Sequence, residues 1–127
     1  MALNAHQLAQ KAYMTQTQSI RTPRGVEYEV FGRITRRIKT AAGLGRAEFP
    51  SLVGALHDNR RFWTMLALDV ASPENELPDE IRSRILYLNE FVQTYTSSVL
   101  KGRAEPAALI DINTAIMRGL RGQEKTS

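Results

Sequence analysis

Residues 59 to 78 read NRRFWTMLALDVASPENELP. Apolar side chains recur there every three or four positions, the period of a helix, until Ser72-Pro73 interrupts them and Leu77-Pro78 closes the interval. The residue before a proline disfavours helical dihedrals, so one helix must stop near Ser72 and the next must begin after Pro78. Read backwards, the first of these helices opens at Phe49-Pro50. Phe49, Leu52, Leu56, Trp63, Ala67 and Val70 form its stripe. Phe62, Met65 and Leu68 lie off that stripe, which predicts a second half that is apolar nearly all round and most buried in the fold.

Read forwards, Asp79 and Glu80 fall in a first turn, where acids complement the helix dipole, and Lys101-Gly102 supplies a stop. Ile81, Ile85, Leu88, Val92, Tyr95 and Val99 share one face of this helix. Upstream, Thr22-Pro23 suits a helix start and Gly43 and Gly45 an end, with Val30, Ile34, Ile38 and Ala41 in phase. Downstream, Pro106 opens a helix with Leu109, Ile112, Ile116 and Leu120 on one side. A weakly amphipathic helix is also expected from Asn4 to Ser19. No alternating pattern long enough for a strand occurs, so the expectation is an all-α fold, a single compact bundle of about five helices with short connections. Residues 1–120 are expected to form that one domain, and residues 121–127 a polar, mobile tail.

Composition narrows the function classes. A chain of 127 residues, 43% hydrophobic, can bury one core. Cysteine is absent, which removes thiol nucleophiles, disulfides and thiolate metal sites. The two histidines are His6 and His57, and Asp58, next to His57, points about 100° away on a helix. Glu74, Glu76, Asp79 and Glu80 lack the spacing of a calcium loop. No apolar run approaches the length of a membrane span. These features predict a cytoplasmic protein that is not an enzyme, without cofactor or metal and without membrane insertion.

Charge is distributed unevenly. Residues 1 to 46 carry eight bases and two acids, and residues 47 to 90 four bases and eight acids. Arg33, Arg36, Arg37 and Lys39 make the densest basic cluster. They read either as a solvated helix face or as a contact for RNA or another anion. Two amides, Asn59 and Asn113, fall within apolar faces. A buried amide needs hydrogen-bond partners, so each is expected to pin a neighbouring turn; the alternative is an amide in a groove that orients a bound peptide. Tyr87 and Phe91 widen the apolar face of their helix. They are either core or, with Phe62 and Phe31, the lining of a groove for an amphipathic partner helix.

The order of short motifs resembles a known family. Ala12-Tyr13, Thr22-Pro23-Arg24, Glu27 and Phe31 are followed by Ala55-Leu56, Asn59-Arg60, Trp63, Asn75, Leu77-Pro78 and Arg82, then by Leu109 to Asn113, Ile116-Met117 and Gly119-Leu120. This pattern is similar to that of the FlaF flagellar biosynthesis regulators of alphaproteobacteria. The resemblance implies a non-enzymatic role in flagellin synthesis and secretion, with flagellin as a bound partner and the regulator FlbT acting alongside. It also leaves open a post-transcriptional role on flagellin mRNA, directly or through FlbT.

Overall fold

Proline and glycine set the helix boundaries. The computed structural model describes residues 23–126, with side chains described over 28–122. Helix α1 spans Pro23–Gly43, and its first residue has a φ preset for a helix and lacks an N–H that would go unpartnered there. Gly45, at φ 80°, then turns the chain into a one-turn 3-10 helix, Arg46–Glu48. Such an angle is open to glycine because it has no Cβ. Helix α2 spans Phe49–Ala71 and stops where Ser72, held extended ahead of Pro73, leaves helical geometry at ψ 136°. Helix α3 spans Asp79–Leu100, with Asp79 and Glu80 in its first turn. It ends in a Schellman motif: Gly102 sits at φ 73°, Arg103 N–H donates to the Ser98 carbonyl at 2.9 Å and Gly102 N–H to that of Val99 at 3.0 Å. Helix α4 spans Ala107–Thr126.

Two expectations at the ends need restating. The helix predicted from Asn4 to Ser19 lies outside the described residues, which hold four α-helices rather than five. At the other end α4 continues to Thr126, past the stop expected near Leu120. Nothing between those residues breaks a helix outright, since no proline follows Leu120 and Gly122 costs only about 1 kcal/mol relative to alanine.

Helix α1 packs along α2, α2 along α3, and α1 along α4, with a lighter contact between α3 and α4. The helices therefore form a ring in which the first and last described helices are neighbours. Phe31, Ile38, Leu56, Trp63, Val70, Ile85, Val92, Leu109 and Leu120 fill its centre and are at most 1% exposed. The second half of α2 is not buried all round as expected. Trp63, Leu66, Ala67 and Val70 face inward, whereas Met65 is 66% and Leu68 70% exposed. A helix in a ring of four touches two neighbours and keeps an outer face, and these two side chains are on it.

The core also contains a polar hub. Trp63 Nε1 donates to Asn113 Oδ1 at 2.9 Å. Asn113 Nδ2 donates to Asn59 Oδ1 at 2.9 Å and to Thr35 Oγ1 at 3.0 Å, and the Thr35 hydroxyl donates to the Phe31 carbonyl at 2.7 Å. Asn59, Trp63 and Asn113 are 0% exposed. The two amides therefore do not pin neighbouring turns as expected; they pair with each other between helices. Nor does either line a groove. An indole N–H can only donate, so Asn113 must present its oxygen to Trp63 and its NH2 to Asn59, whose own NH2 is turned away. That group, Asn59 Nδ2, is buried with no hydrogen-bond partner among the described residues.

Asn113→Ala removes partners from Trp63, Asn59 and Thr35 together and is expected to cost about 3–5 kcal/mol. Asn59→Ala leaves Asn113 bonded to Trp63 and Thr35 and removes the unpartnered donor, so it should cost about 1–3 kcal/mol. Urea unfolding of both variants checks this ranking, and the reverse order would contradict the hub.

Candidate functional site

The aromatic residues singled out as a groove separate into two groups. Phe31 is 0% exposed. Its ring lies 4.6 Å from that of Phe62 and 5.7 Å, edge to face, from that of Trp63. Phe31 is therefore core and lines no surface, and Phe62, half-buried, turns toward α1. Helix phase explains the separation. Arg60 and Gln93 clasp α2 to α3: Arg60 Nη2 donates to the Gln93 carbonyl at 2.6 Å and Gln93 Nε2 to the Arg60 carbonyl at 3.2 Å. Residues two apart on a helix point about 200° apart. Phe62 accordingly faces away from α3, and Phe91 away from α2.

On the outer flank of α3, Tyr87 is 75% and Phe91 43% exposed. The Phe91 ring stacks on that of Tyr95 at 5.2 Å, and the Tyr95 hydroxyl donates to the Glu105 carbonyl at 2.7 Å. This bond anchors the aromatic ladder to the connection between α3 and α4, where helix packing is lighter. Leu86, 41% exposed, points about 100° away from Tyr87 on the same helix. Sequence reasoning noticed Met65 and Leu68 but assigned them to the interior. Their phase, off the stripe led by Trp63, was the signal that they face out.

The basic cluster is partly gathered. Arg33, Arg36 and Arg37 line a cleft of about 580 Å³ between the second half of α1 and the start of α2, with Thr40, Ala41, Leu44, Glu48, Ser51 and Gly54. Lys39 is exposed and lies outside that lining. Arg37 Nη1 bonds Asp58 Oδ2 at 2.7 Å, so Asp58 is engaged across helices while His57 is exposed. Among the described residues no group of three His, Cys, Asp or Glu side chains is placed to hold a metal ion. No helix among them is long and apolar enough to cross a membrane.

The model of the family described as flagellar protein FlaF matches residues 9–120. The chain belongs to the FlaF family. No curated protein and no solved structure matches it.

The residues that carry the FlaF resemblance are mostly structural. Asn59, Trp63 and Asn113 form the polar hub. Arg60 joins α2 to α3 and also donates to the Ser97 hydroxyl. Asn75 organises the turn between α2 and α3: its Oδ1 accepts from Leu77 N–H at 3.0 Å and its Nδ2 donates to Asp69 Oδ2 at 3.1 Å. The turn places Leu77, 6% exposed, into the core and Pro78 ahead of α3. Arg82 reaches back from α3 to cap α2. Its Nε donates to the Val70 carbonyl at 2.9 Å and its Nη2 to that of Ser72 at 3.1 Å. Carbonyls at a helix C-terminus lack intrahelical donors, and a planar guanidinium spans two of them where an ammonium does not.

Arg82→Lys should therefore destabilise the fold nearly as much as Arg82→Met, by about 1–3 kcal/mol in each case. Thermal and urea unfolding check it, and full retention of stability by the lysine variant would contradict a bidentate cap.

Proposed function

We propose that this FlaF-family protein supports flagellin synthesis and secretion by binding flagellin in the cytoplasm, as a chaperone or export adaptor without enzymatic activity. The observation that carries the reading is the apolar ridge on the outside of α3, where Tyr87 and Phe91 remain exposed beside the lighter seam with α4. Much of the Tyr87 and Phe91 rings, a helical turn apart, is left in water by the bundle's own packing. An amphipathic helix laid against them gains apolar burial through anchors at i, i+3, i+4 and i+7. A segment awaiting export needs such shielding and must later be released, which suits a shallow ridge better than a deep pocket. FlbT is the second partner that fits this reading, as a regulator acting alongside.

Tyr87 and Phe91 are the residues assigned to contact, and Phe62, turned toward Phe31 on α1, lies off that ridge. Tyr87→Ala combined with Phe91→Ala is expected to abolish co-purification of flagellin. Its cost in stability should be no more than about 1.5 kcal/mol, from loss of the Phe91–Tyr95 stack. Co-purification with flagellin and with flagellin transcript, each at low and high salt, tests the class of partner. Retention of flagellin at both salt concentrations supports the reading, because apolar contact changes little with ionic strength. Recovery of transcript alone, lost steeply as salt rises, would instead assign a role on mRNA. Unchanged flagellin binding by the double variant, with its fold intact, would overturn the assignment of the ridge.

A further inference from the structure

We propose that the cleft between α1 and α2 is a second docking site, one that receives an acidic amphipathic helix from a partner protein. The site is separate from the α3 ridge and does not depend on the flagellin reading. Arg33, Arg36, Thr40 and Leu44 recur every three or four residues and form one wall; Ser51 and Gly54, one helical turn apart on α2, form the other. Two packed helices leave a groove between them that side chains of a third can enter. At 1.5 Å per residue the wall from Arg33 to Leu44 is about 16 Å long, the length of about three turns of a bound helix.

Charge fixes what the groove would accept. Arg37 is neutralised by Asp58 at 2.7 Å. Arg33 and Arg36, both exposed, have no hydrogen-bond or ion-pair partner among the described residues. Two guanidinium groups one turn apart match two carboxylates one turn apart on a partner helix, and guanidinium is the side-chain group best shaped to hold carboxylate. The other end of the cleft has the opposite preference. Glu48 repels acid there, while Ala41 and Leu44, the latter 59% exposed, offer apolar contact. The expected occupant thus has an acidic pair at its Arg33 end and an apolar residue at its Leu44 end.

A single-stranded nucleic acid fits less well. Such sites combine cationic side chains with aromatic rings on which bases stack, and no aromatic residue lines this cleft. The cleft is open at Gly54, where a Cβ would meet only Arg37 Nη2, at 4.0 Å.

The test uses the full chain and two fluorescent probes in low salt, read by anisotropy. One is a helical peptide with two glutamates four residues apart and leucine one turn further on, together with its glutamine counterpart. The other is single-stranded oligouridylate. The acidic peptide should bind at least tenfold more tightly than the glutamine peptide. Arg33→Glu with Arg36→Glu should weaken it at least tenfold. Gly54→Glu, which sets a competing carboxylate beside the cleft's arginines and removes none of them, should do the same. Arg118→Glu, at an exposed position of α4, and the Tyr87/Phe91 alanine pair should leave the peptide's affinity unchanged. Circular dichroism and thermal unfolding establish that the variants are folded. Equal binding of the glutamine peptide, or undiminished binding by both cleft variants, would overturn the proposal. Oligouridylate binding that those variants abolish, with no binding of the acidic peptide, would overturn it in favour of nucleic acid.

Discussion

The carboxamide of Asn113 joins three helices where water is excluded, and the indole of Trp63 dictates which way it faces. Low local dielectric strengthens every bond in such a network and raises the penalty for leaving one unmade. Apolar side chains in the same space tolerate sliding, because one methyl contact resembles another. The hub does not: displacing α4 by a turn would strand the indole N–H and the Asn59 oxygen together. The amide pair thus acts as a register mark for α1, α2 and α4, set within packing that is otherwise non-directional.

Helix α3 is attached by other means. Arginine side chains cross to or from it, Arg60 toward its Gln93 and Ser97, and Arg82 back toward the end of α2. These contacts are tight on the α2 side, and packing is lighter on the α4 side. The exposed aromatic ladder borders that lighter side. Binding surface and scaffold are therefore divided: most residues that mark the FlaF family hold the fold, whereas Tyr87 and Phe91 project from it and Arg33 and Arg36 face an open cleft.

The legible part of the fold was local. Pro23, Pro50, Pro73, Pro78 and Gly102 constrain their own backbone or that of a neighbour, so the limits of α1, α2 and α3 could be read without knowing what they pack against. The end of α4 has no such marker, and the helix runs beyond its last apolar residue. Tertiary pairing was legible only in outline. Asn59 and Asn113 stood out as polar positions in apolar faces, but that they meet each other depends on the relative rotation of two helices, which no short stretch encodes. The aromatic site shows the same limit. Phe31 and Phe91 are the same residue type on amphipathic helices, and only the arrangement of neighbours buries one and leaves the other at the surface. Arg33, Arg36 and Arg37 were visible as a cluster; that α2 would supply the second wall of a cleft was not.

The hub also ties together parts of the chain that are far apart in sequence. Asn113 lies 78 residues from Thr35 and 50 from Trp63 in sequence, and α1 finds its second neighbour only in the last of the four described helices. A nascent chain still lacking α4 carries an indole N–H and an asparagine oxygen with no internal partner, and one side of α1 is uncovered. The ring therefore closes only when α4, the last of the four described helices, is in place. Its polar centre has all its partners only when the helix bearing Asn113 is present.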